Sequence, residues 1–294
     1  MNAKSHKPVI IGIGELLWDM LPDGKRAGGA PVNFVYHAAM QGAQGYAISA
    51  VGNDASGDEI LAELDKNGIK YCVARNEYPT SYVQVVLHDG IPAYDIVEGV
   101  AWDHLKVSDE AVKLVEGADA VCFGTLALRS EESRRAVKEL LAHAPEKALR
   151  FFDVNLRGSY YSRNLIDELL RLANVFKVND EEIAVLKDLF GLTGGEEDVC
   201  RAFIEKYGLK YMIFTAGEKY SAVYTPTEKS VLKTPKVRVA DTVGAGDSFS
   251  GAFVYAVLTG KSLTQAHKIA VDTAAFVSTK SGAWPAYERR LDDE

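Results

Sequence analysis

Cysteine, positive charge and long apolar segments are all scarce in this chain of 294 residues. Its three cysteines, Cys72, Cys122 and Cys200, are scattered without metal-type spacing, so neither a disulfide framework nor a zinc site is indicated. Lysine and arginine number 33 against 41 aspartates and glutamates, which argues against nucleic-acid backbones and anionic membranes as main partners. The apolar segment 9–13 is too short for a signal sequence or a membrane span. We therefore expect a cytoplasmic protein that binds neither nucleic acid nor membrane.

Two widespread nucleotide-binding motifs are also missing. The chain contains no Gly-x4-Gly-Lys-Ser/Thr loop to cradle phosphates. Its first strand candidate runs into Gly12-Ile13-Gly14-Glu15, but the third glycine of a dinucleotide-binding turn is absent. Any nucleotide must therefore be held in another way.

The overall composition is that of an ordinary globular protein, with 47% hydrophobic and 25% charged residues. Short apolar runs alternate with longer amphipathic stretches, which predicts an α/β fold with a largely parallel sheet and a site at the carboxyl ends of its strands. No linker or repeat divides the chain, so we expect a single domain over 1–294. The strand candidates are residues 9–13, 46–51, 118–123, 149–154, 174–178 and 211–215. The helix candidates include residues 31–41, 57–66, 131–142, 165–172, 181–189 and 199–207.

One segment breaks this alternation. Residues 81–88 and 93–97 are strand-like runs, and the turn dipeptide Asp89-Gly90 lies between them without any helix. This arrangement predicts a β-hairpin. The hairpin could form a small lid, an oligomer contact or an ordinary sheet edge, and its own residues leave all three open.

The strongest candidate for chemistry is a glycine-rich turn directly before the apolar stretch 249–258. The turn reads Asp241-Thr242-Val243-Gly244-Ala245-Gly246-Asp247. Because a helix begins with unpaired N–H groups and a positive dipole end, a turn of small residues can present those donors to a phosphate. Asp247 could then deprotonate an acceptor hydroxyl during phosphoryl transfer. The alternative is that Asp247 only caps the helix, a position that Asp favours.

A second group of small and polar residues follows the first strand candidate. The carboxylate of Asp19 can accept hydrogen bonds from two neighbouring sugar hydroxyls, and the amide of Asn33 can both donate and accept. Gly28 and Gly29 allow close approach of the backbone, and Trp18 could supply an apolar wall. Each of these residues also fits a plain role in a turn or in the first turn of a helix.

Three further strand ends carry residues suited to phosphates. Arg157 could hold the oxygens of a transferring phosphate. Asn179 and Glu182 could hold Mg²⁺ through water, although acidic residues favour the first turn of any helix. Thr215 and Gly217 could contact nucleotide phosphates or simply end a strand.

Taken together, these residues resemble the ribokinase-like (PfkB) family of carbohydrate kinases over nearly the whole chain. The turn that ends in Asp247 resembles the family's carboxy-terminal signature, and Asn179 to Glu182 resembles its Asn-x-x-Glu motif. The family's amino-terminal signature is resembled by Gly28-Gly29-Ala30-Pro31-Val32-Asn33. The resemblance implies a three-layer α/β/α sandwich with a mainly parallel central sheet and a small β lid formed by about 15–27 and 79–103.

The same resemblance implies a role for each candidate residue, with ATP and Mg²⁺ as cofactors. The implied catalytic residues are Asp247 as base, Gly244, Ala245 and Gly246 in an anion hole, and Arg157 near the transferred phosphate. The implied sugar ligands are Asp19, Gly28, Gly29 and Asn33. The implied nucleotide ligands are Asn179, Thr215, Gly217, Gly244 and Gly246, and Glu182 would organise Mg²⁺ through water.

Within the family, the chain most resembles fructokinases, which phosphorylate D-fructose with ATP to give fructose 6-phosphate and ADP. This likeness lies in Gly14-Glu15-Leu16-Leu17-Trp18-Asp19, in the Pro22-Asp23-Gly24 turn and in Gly99-Val100-Ala101-Trp102-Asp103. Ribose, mannose, 2-keto-3-deoxygluconate or a nucleoside are alternative acceptors. A catalytically silent sugar-binding regulator on the same fold is an alternative of another class.

Three finer expectations follow from the resemblance. Tyr220 stands where many family members have a second glycine after Gly217, which leaves the nucleotide contact and preference open. Asp241 and the segment 278–282 resemble a monovalent-cation loop, so K⁺ activation is a hypothesis. The hairpin resembles a lid that often forms a dimer clasp, so a homodimer through this lid is expected.

Overall fold

The secondary structure follows the alternation of short apolar runs and amphipathic stretches. The structure is a computed structural model and describes residues 7–21, 24–88 and 91–287. Its strands are β1 (Val9–Ile13), β2 (Leu17–Leu21), β3 (Gly24–Gly28), β4 (Gln44–Gly52), β5 (Lys70–Asn76), β6 (Ser81–His88), β7 (Ile91–Ile96), β8 (Ala120–Gly124), β9 (Leu149–Asp153), β10 (Val175–Asn179), β11 (Tyr211–Ala216), β12 (Tyr220–Tyr224) and β13 (Lys229–Lys233). Its helices are α1 (Ala30–Gln41), α2 (Ala55–Lys66), α3 (Asp109–Glu116), α4 (Glu131–Ala142), α5 (Arg163–Leu172), α6 (Asp180–Phe190), α7 (Glu196–Tyr207), α8 (Ala245–Leu258) and α9 (Leu263–Ser278).

The central sheet is mainly parallel, as predicted. Within the described residues, nine strands lie in the order β13-β12-β11-β10-β9-β8-β1-β4-β5. Neighbours from β11 through β5 pair in parallel, whereas β12 and β13 pair antiparallel at one edge. All six strand candidates belong to this sheet. The three strands β5, β12 and β13 are additional to those predicted.

Helices cover both faces of the central sheet and complete the three-layer α/β/α sandwich. On one face, apolar side chains of α1, α2, α8 and α9 pack against the sheet. On the other face, side chains of α3 to α7 do the same. Aromatic contacts cross both layer boundaries, from Phe34 of α1 to Phe151 of β9 and from Phe176 of β10 to Phe203 of α7. Among the helices that the structure describes, none combines the length and apolarity needed to cross a membrane.

A separate small sheet covers the carboxyl ends of the central strands. Its described strands lie in the order β3-β2-β6-β7, and β6 pairs antiparallel with β7 as the predicted hairpin requires. The turn residues Asp89-Gly90, and Pro22 and Asp23 of the other turn, lie outside the described residues. Because side chains alternate along a strand, β2 directs Leu17, Asp19 and Leu21 towards the cavity beneath it.

Candidate active site

A cavity of about 550 Å³ lies between the carboxyl ends of the central strands and the inner face of the small sheet. Predicted site residues from six parts of the chain line this cavity. They are Asp19, Gly29, Asn33, Arg157, Asn179, Glu182, Thr215, Gly244, Gly246 and Asp247. The three other predicted residues adjoin it in the chain: Gly28 precedes Gly29, Ala245 precedes Gly246, and Gly217 follows two residues after Thr215. The fold therefore gathers residues separated by more than 200 positions into one place.

The open end of helix α8 faces this cavity. Its N-cap is Gly244, which has a φ of 76° and contributes no capping side chain. The Ala245 amide donates to the carbonyl oxygen of Thr242 at 3.2 Å, whereas the amides of Gly246 and Asp247 have no hydrogen-bond partner among the described residues. These amides and the helix dipole fit an anion, since such N–H groups bind phosphates. Asp247 is the third residue of the helix, so the alternative that it is the N-cap is wrong.

Asp247 has the environment of a general base. Asn33 Nδ2 donates to Asp247 Oδ2 at 2.8 Å, which leaves the carboxylate oriented towards the cavity. Desolvation by the surrounding protein and the nearby carboxylate of Asp153 raise the pKa of Asp247 to about 6, against opposing contributions from Asn33 and from Lys177. A carboxylate with a pKa near 6 accepts a proton from a hydroxyl more readily than an ordinary aspartate, yet remains ionised at neutral pH.

A buried ion pair lies directly behind the helix end, and no prediction had assigned a role to its lysine. Lys177 Nζ is 2.7 Å from Asp153 Oδ2, with side-chain exposures of 8% and 9%. A Cβ atom on Gly246 would lie 3.4 Å from Lys177 Nζ, so the ammonium adjoins the anion site. Burial alone would lower the pKa of Lys177, but Asp153 and Glu182 reverse this effect and leave it raised. In the sequence, Lys177 could have been found as the one charged residue within the apolar strand β10.

Two further carboxylates line the end of the cavity next to Gly28 and Gly29. Burial raises the pKa of Asp19 to about 6, and a Cβ atom on Gly28 would lie only 3.0 Å from Asp19 Oδ2. Burial also raises the pKa of Glu15 to about 7. Glu15 Oε1 accepts from the Ala30 amide at 3.2 Å, whereas its buried Oε2 has no partner among the described residues. This end offers acceptors and narrow backbone for a polyhydroxylated ligand.

The expectation that Trp18 forms an apolar wall of this site is wrong. Trp18 alternates with Asp19 along β2, so its indole lies on the outer face of the small sheet. There its Nε1 donates to the carbonyl oxygen of Ser56 at 3.1 Å. The apolar wall consists instead of residues on the inner face and on β7, namely Leu17, Leu21, Val83 and Ile96.

Asn179 and Glu182 line the cavity but already bind each other. Asn179 Oδ1 accepts from the Glu182 amide, and Glu182 Oε2 accepts from the Asn179 amide, both at 2.8 Å. Glu182 Oε1 accepts from the Leu156 amide at 3.0 Å. Among the described residues, no three His, Cys, Asp or Glu side chains converge as direct metal ligands. The donor set therefore fits Mg²⁺ held through water and ligand phosphates, because Mg²⁺ keeps much of its hydration shell.

Arg157 places a positive charge near three carboxylates of the cavity. Its guanidinium lowers the pKa of Asp19, Glu15 and Asp247, although burial outweighs this effect in each of the three. Among the described residues, its Nη1 donates to the adjacent carbonyl oxygen of Leu156, at 2.9 Å. An exposed guanidinium in this position can reach an anion bound in the cavity.

The strand end at Thr215 explains how Tyr220 is accommodated. Gly217 has a φ of 52° and forms the turn between β11 and β12, while Tyr220 is the first residue of β12. The Tyr220 hydroxyl donates to the carboxylate of Glu196. A strand position with this side-chain contact has no need for a second glycine. Thr215 itself lines the cavity.

The segments proposed as a monovalent-cation loop meet in the structure. The Gly282 amide donates to Asp241 Oδ2 at 3.0 Å, and the Ala240 amide donates to the carbonyl oxygen of Ser278 at 2.9 Å. Arg26 Nη1 lies 3.8 Å from the same Asp241 carboxylate. The turn that leads into α8 is therefore tied to the segment that follows α9.

Similarity to known proteins extends over almost the whole chain. The model of the pfkB family carbohydrate kinase matches residues 23–289. A putative sugar kinase of Pyrococcus horikoshii, PH1459, is 28% identical over 94% of this chain and 92% of its own length. A probable fructokinase of Arabidopsis thaliana, fructokinase-5, is 28% identical over 98% of this chain and 97% of its own.

Solved structures show the same fold. The crystal structure of PH1459 in complex with ATP superposes with a TM-score of 0.76 at 28% identity, covering 94% of each chain. The crystal structure of a Vibrio cholerae fructokinase with fructose, ADP and calcium ion bound superposes with a TM-score of 0.79 at 23% identity, also covering 94% of each chain. The ribokinase-like architecture implied by the sequence is thereby confirmed.

Proposed function

The chain belongs to the pfkB family of carbohydrate kinases, and from this premise we propose that it phosphorylates D-fructose with ATP, giving fructose 6-phosphate and ADP. The observation that carries the proposal is Asp247, a carboxylate with a pKa of about 6 in the first turn of the open helix α8. It stands between the anion-binding amides and the polar end of the cavity, where an acceptor hydroxyl and a phosphoryl group can meet.

In the proposed reaction, Asp19, Gly28, Gly29 and Asn33 hold the sugar. Asp247 takes the proton from the primary hydroxyl, and the hydroxyl oxygen attacks the γ-phosphorus of ATP in line. The bond from that phosphorus to the bridging oxygen breaks, and ADP leaves with the electron pair. The amides of Gly244 and Gly246, on either side of the small residue Ala245, then stabilise charge on the transferring group together with Arg157, which is the main form of catalysis in phosphoryl transfer.

The nucleotide end of the cavity fits Mg-ATP. We propose that Thr215 and Gly217 contact the phosphates and that Asn179 and Glu182 orient water molecules around Mg²⁺. When bound, the ion neutralises phosphate charge. The oxygens of Asn179 and Glu182 already accept backbone amides, so replacing either residue should loosen the start of α6 as well as metal binding.

Fructose as the acceptor is supported by the chain's likeness to fructokinases rather than by a particular contact. The tryptophans of the two motifs do not line the cavity: Trp18 lies on the outer face of the small sheet, and Trp102 is fully buried beneath Arg129. These motifs support the walls of the site. A different sugar, or a nucleoside, would use the same base and the same anion site.

The test is Mg-ATP-dependent ADP release across hexoses, pentoses, keto-acid sugars and nucleosides. Wild type is compared with Asp247→Asn and with Asp272→Asn, which removes an exposed carboxylate of α9 paired with Lys268. We expect fructose-selective turnover, a loss of roughly 10²–10⁴-fold in Asp247→Asn, and an unchanged rate in Asp272→Asn. Another preferred acceptor would change the substrate assignment. Sugar binding without ADP release would favour the silent regulator.

We also propose a homodimer formed through the small sheet, in a reducing cytoplasm that suits three free cysteines. The outer face of this sheet exposes Met20 and Tyr82 at 41% and 42%, and exposed apolar groups on a sheet face favour association. Sedimentation should give a dimer for wild type and a monomer for Met20→Lys/Tyr82→Lys. A monomeric wild type would contradict the proposal.

A further inference from the structure

The residue that orients the catalytic amide comes from the segment after α9, far along the chain from either signature motif. Trp284 Nε1 donates to Asn33 Oδ1 at 2.8 Å, and Asn33 Nδ2 donates to Asp247 Oδ2 at 2.8 Å. The indole, the amide and the carboxylate thus form one chain of hydrogen bonds that ends on the proposed base.

The direction of this chain is fixed by what each group can do. An indole N–H donates and never accepts, so the atom of Asn33 that faces Trp284 must be the carbonyl oxygen. The NH₂ group of Asn33 must then face Asp247, where it donates to the ionised carboxylate. Without the indole donor, the carboxylate alone would hold the amide, which could then turn away and weaken its hydrogen bond to Asp247.

We propose that Trp284 is a positioning residue for phosphoryl transfer, because its indole N–H holds the Asn33 amide in the one orientation that donates to Asp247. The inference rests on the proposed role of Asp247 as base. It assigns to Trp284 no contact with sugar or nucleotide.

The packing of the indole does not depend on its N–H group. The Trp284 ring centroid lies 6.0 Å from that of Tyr36, and the Tyr36 hydroxyl donates to the carbonyl oxygen of Pro285 at 2.7 Å. Ala283 lies against the helix end, 3.0 Å from the position that a Cβ atom on Gly244 would take. Several contacts therefore hold the segment in place, and the donor can be removed without releasing it.

The experiment removes the donor while keeping an aromatic ring. In Trp284→Phe, we expect kcat/KM to fall roughly tenfold to a hundredfold. This range corresponds to loss of the hydrogen bond from Asn33 to the charged carboxylate of Asp247. We expect the acidic limb of the pH profile to move up by roughly one unit, because a weakened hydrogen bond from Asn33 stabilises the ionised form of Asp247 less. The matched control is Tyr36→Phe, which loosens the same segment but leaves the indole in place. Its pH profile should match that of wild type.

A second variant covers the case in which Trp284→Phe does not fold. Site-specific incorporation of benzothienyl-alanine at position 284 replaces the indole N–H by sulfur with almost no change in shape, and it should shift the acidic limb in the same way. An unshifted limb in this analogue overturns the proposal, as does an equal shift in Tyr36→Phe. Binding of the preferred sugar without nucleotide, measured by calorimetry, should change less than turnover.

The two proposals fail separately. If Asp247→Asn keeps its activity, Asp247 is not the base and the proposed mechanism is wrong. If Asp247→Asn is inactive while the position-284 variants keep the wild-type rate and pH profile, only the role of Trp284 is wrong.

Discussion

The contribution of the buried ion pair between Lys177 and Asp153 to stability can be tested by removing the Lys177 ammonium. Lys177→Met keeps a straight apolar side chain of similar length in the buried strand β10. It leaves the carboxylate of Asp153 without its partner at 2.7 Å, in a place where the side chain is only 9% exposed. A buried charge without a partner is costly, whereas a buried pair replaced as a whole is often nearly neutral.

The expected magnitude follows from this burial. Removing one partner of a buried ion pair typically costs about 3–5 kcal/mol. The entropy of unfolding is about 2.1 cal/mol/K per residue near 60 °C, which for 294 residues gives roughly 0.6 kcal/mol/K. The midpoint of thermal unfolding should therefore fall by roughly 5–8 °C.

Differential scanning calorimetry on four proteins checks this value. Wild type and Lys177→Met are compared with Asp153→Asn/Lys177→Met, in which neither charge remains and at least half of the lost stability should return. The matched control is Lys268→Met, which removes an equal charge from an exposed pair with Asp272, at 62% and 48% exposure. Exposed pairs contribute little, so this variant should unfold within about 2 °C of wild type.

Two outcomes would contradict the predicted role of the ion pair. If Lys177→Met unfolds at the wild-type temperature, the pair is not a net stabiliser of the buried strand ends. If the double variant is no more stable than the single variant, the loss comes from packing rather than from an uncompensated charge.

Four further predictions follow. The acidic limb of kcat/KM should lie near pH 6, because Asp247 has a pKa of about 6 and must be ionised to act; a rate at pH 5 equal to that at pH 8, instead of about tenfold lower, would contradict this. Burial raises the pKa of Glu15 from 4.5 to about 7. Glu15 therefore does not lower the free energy of unfolding below pH 4.5, lowers it increasingly as the pH rises to 7, and lowers it by about 3 kcal/mol at pH 8. Thermal melts should accordingly show Glu15→Gln gaining on wild type at pH 8 but not at pH 4.5, and an equal difference at both pH values would count against it. Gly29→Ala should lower the free energy of unfolding in urea by about 2–4 kcal/mol and weaken sugar binding, since its Cβ would lie 2.1 Å from the Glu15 carbonyl oxygen with φ at +126°. The control is Gly68→Ala, with φ at +66° and open space around it, which should lower this free energy by only about 1 kcal/mol. Exchanging K⁺ for tetramethylammonium should lower the rate if Asp241 and the segment after α9 hold a monovalent cation, and an unchanged rate excludes that role.

Much of the fold could be predicted because local patterns of apolar residues indicate its strands and helices. A buried strand in a parallel sheet needs a short apolar run, and its covering helix needs an apolar stripe, so β1, β8, β9, β10 and β11 could be recognised individually. The edge strands β5 and β13, and β12 next to the edge, could not be recognised in this way. β5 and β13 are partly exposed and carry several polar residues. β12 is buried but follows β11 through a tight turn, with no helix before or after it to mark it as a separate strand.

The first residue of helix α8 could not be predicted from the apolar pattern. The apolar pattern begins at Phe249, but the helix begins at Ala245. Small residues carry no periodic signal, and the positive φ of Gly244 is stabilised by packing against Ala283. Where the glycine turn ends and the helix begins therefore depended on a segment almost 40 residues away.

The sequence by itself determined the class of fold and the residue types of the site, because the signature motifs are short and local. Tertiary structure alone decided which way those residues face and what lies beside them. The pleat of β2 turns Asp19 into the cavity and Trp18 out of it, a one-residue difference that composition does not show. The same holds for Lys177 behind Gly246 and for Trp284 above Asn33, since contacts between distant segments exist only once the chain has folded.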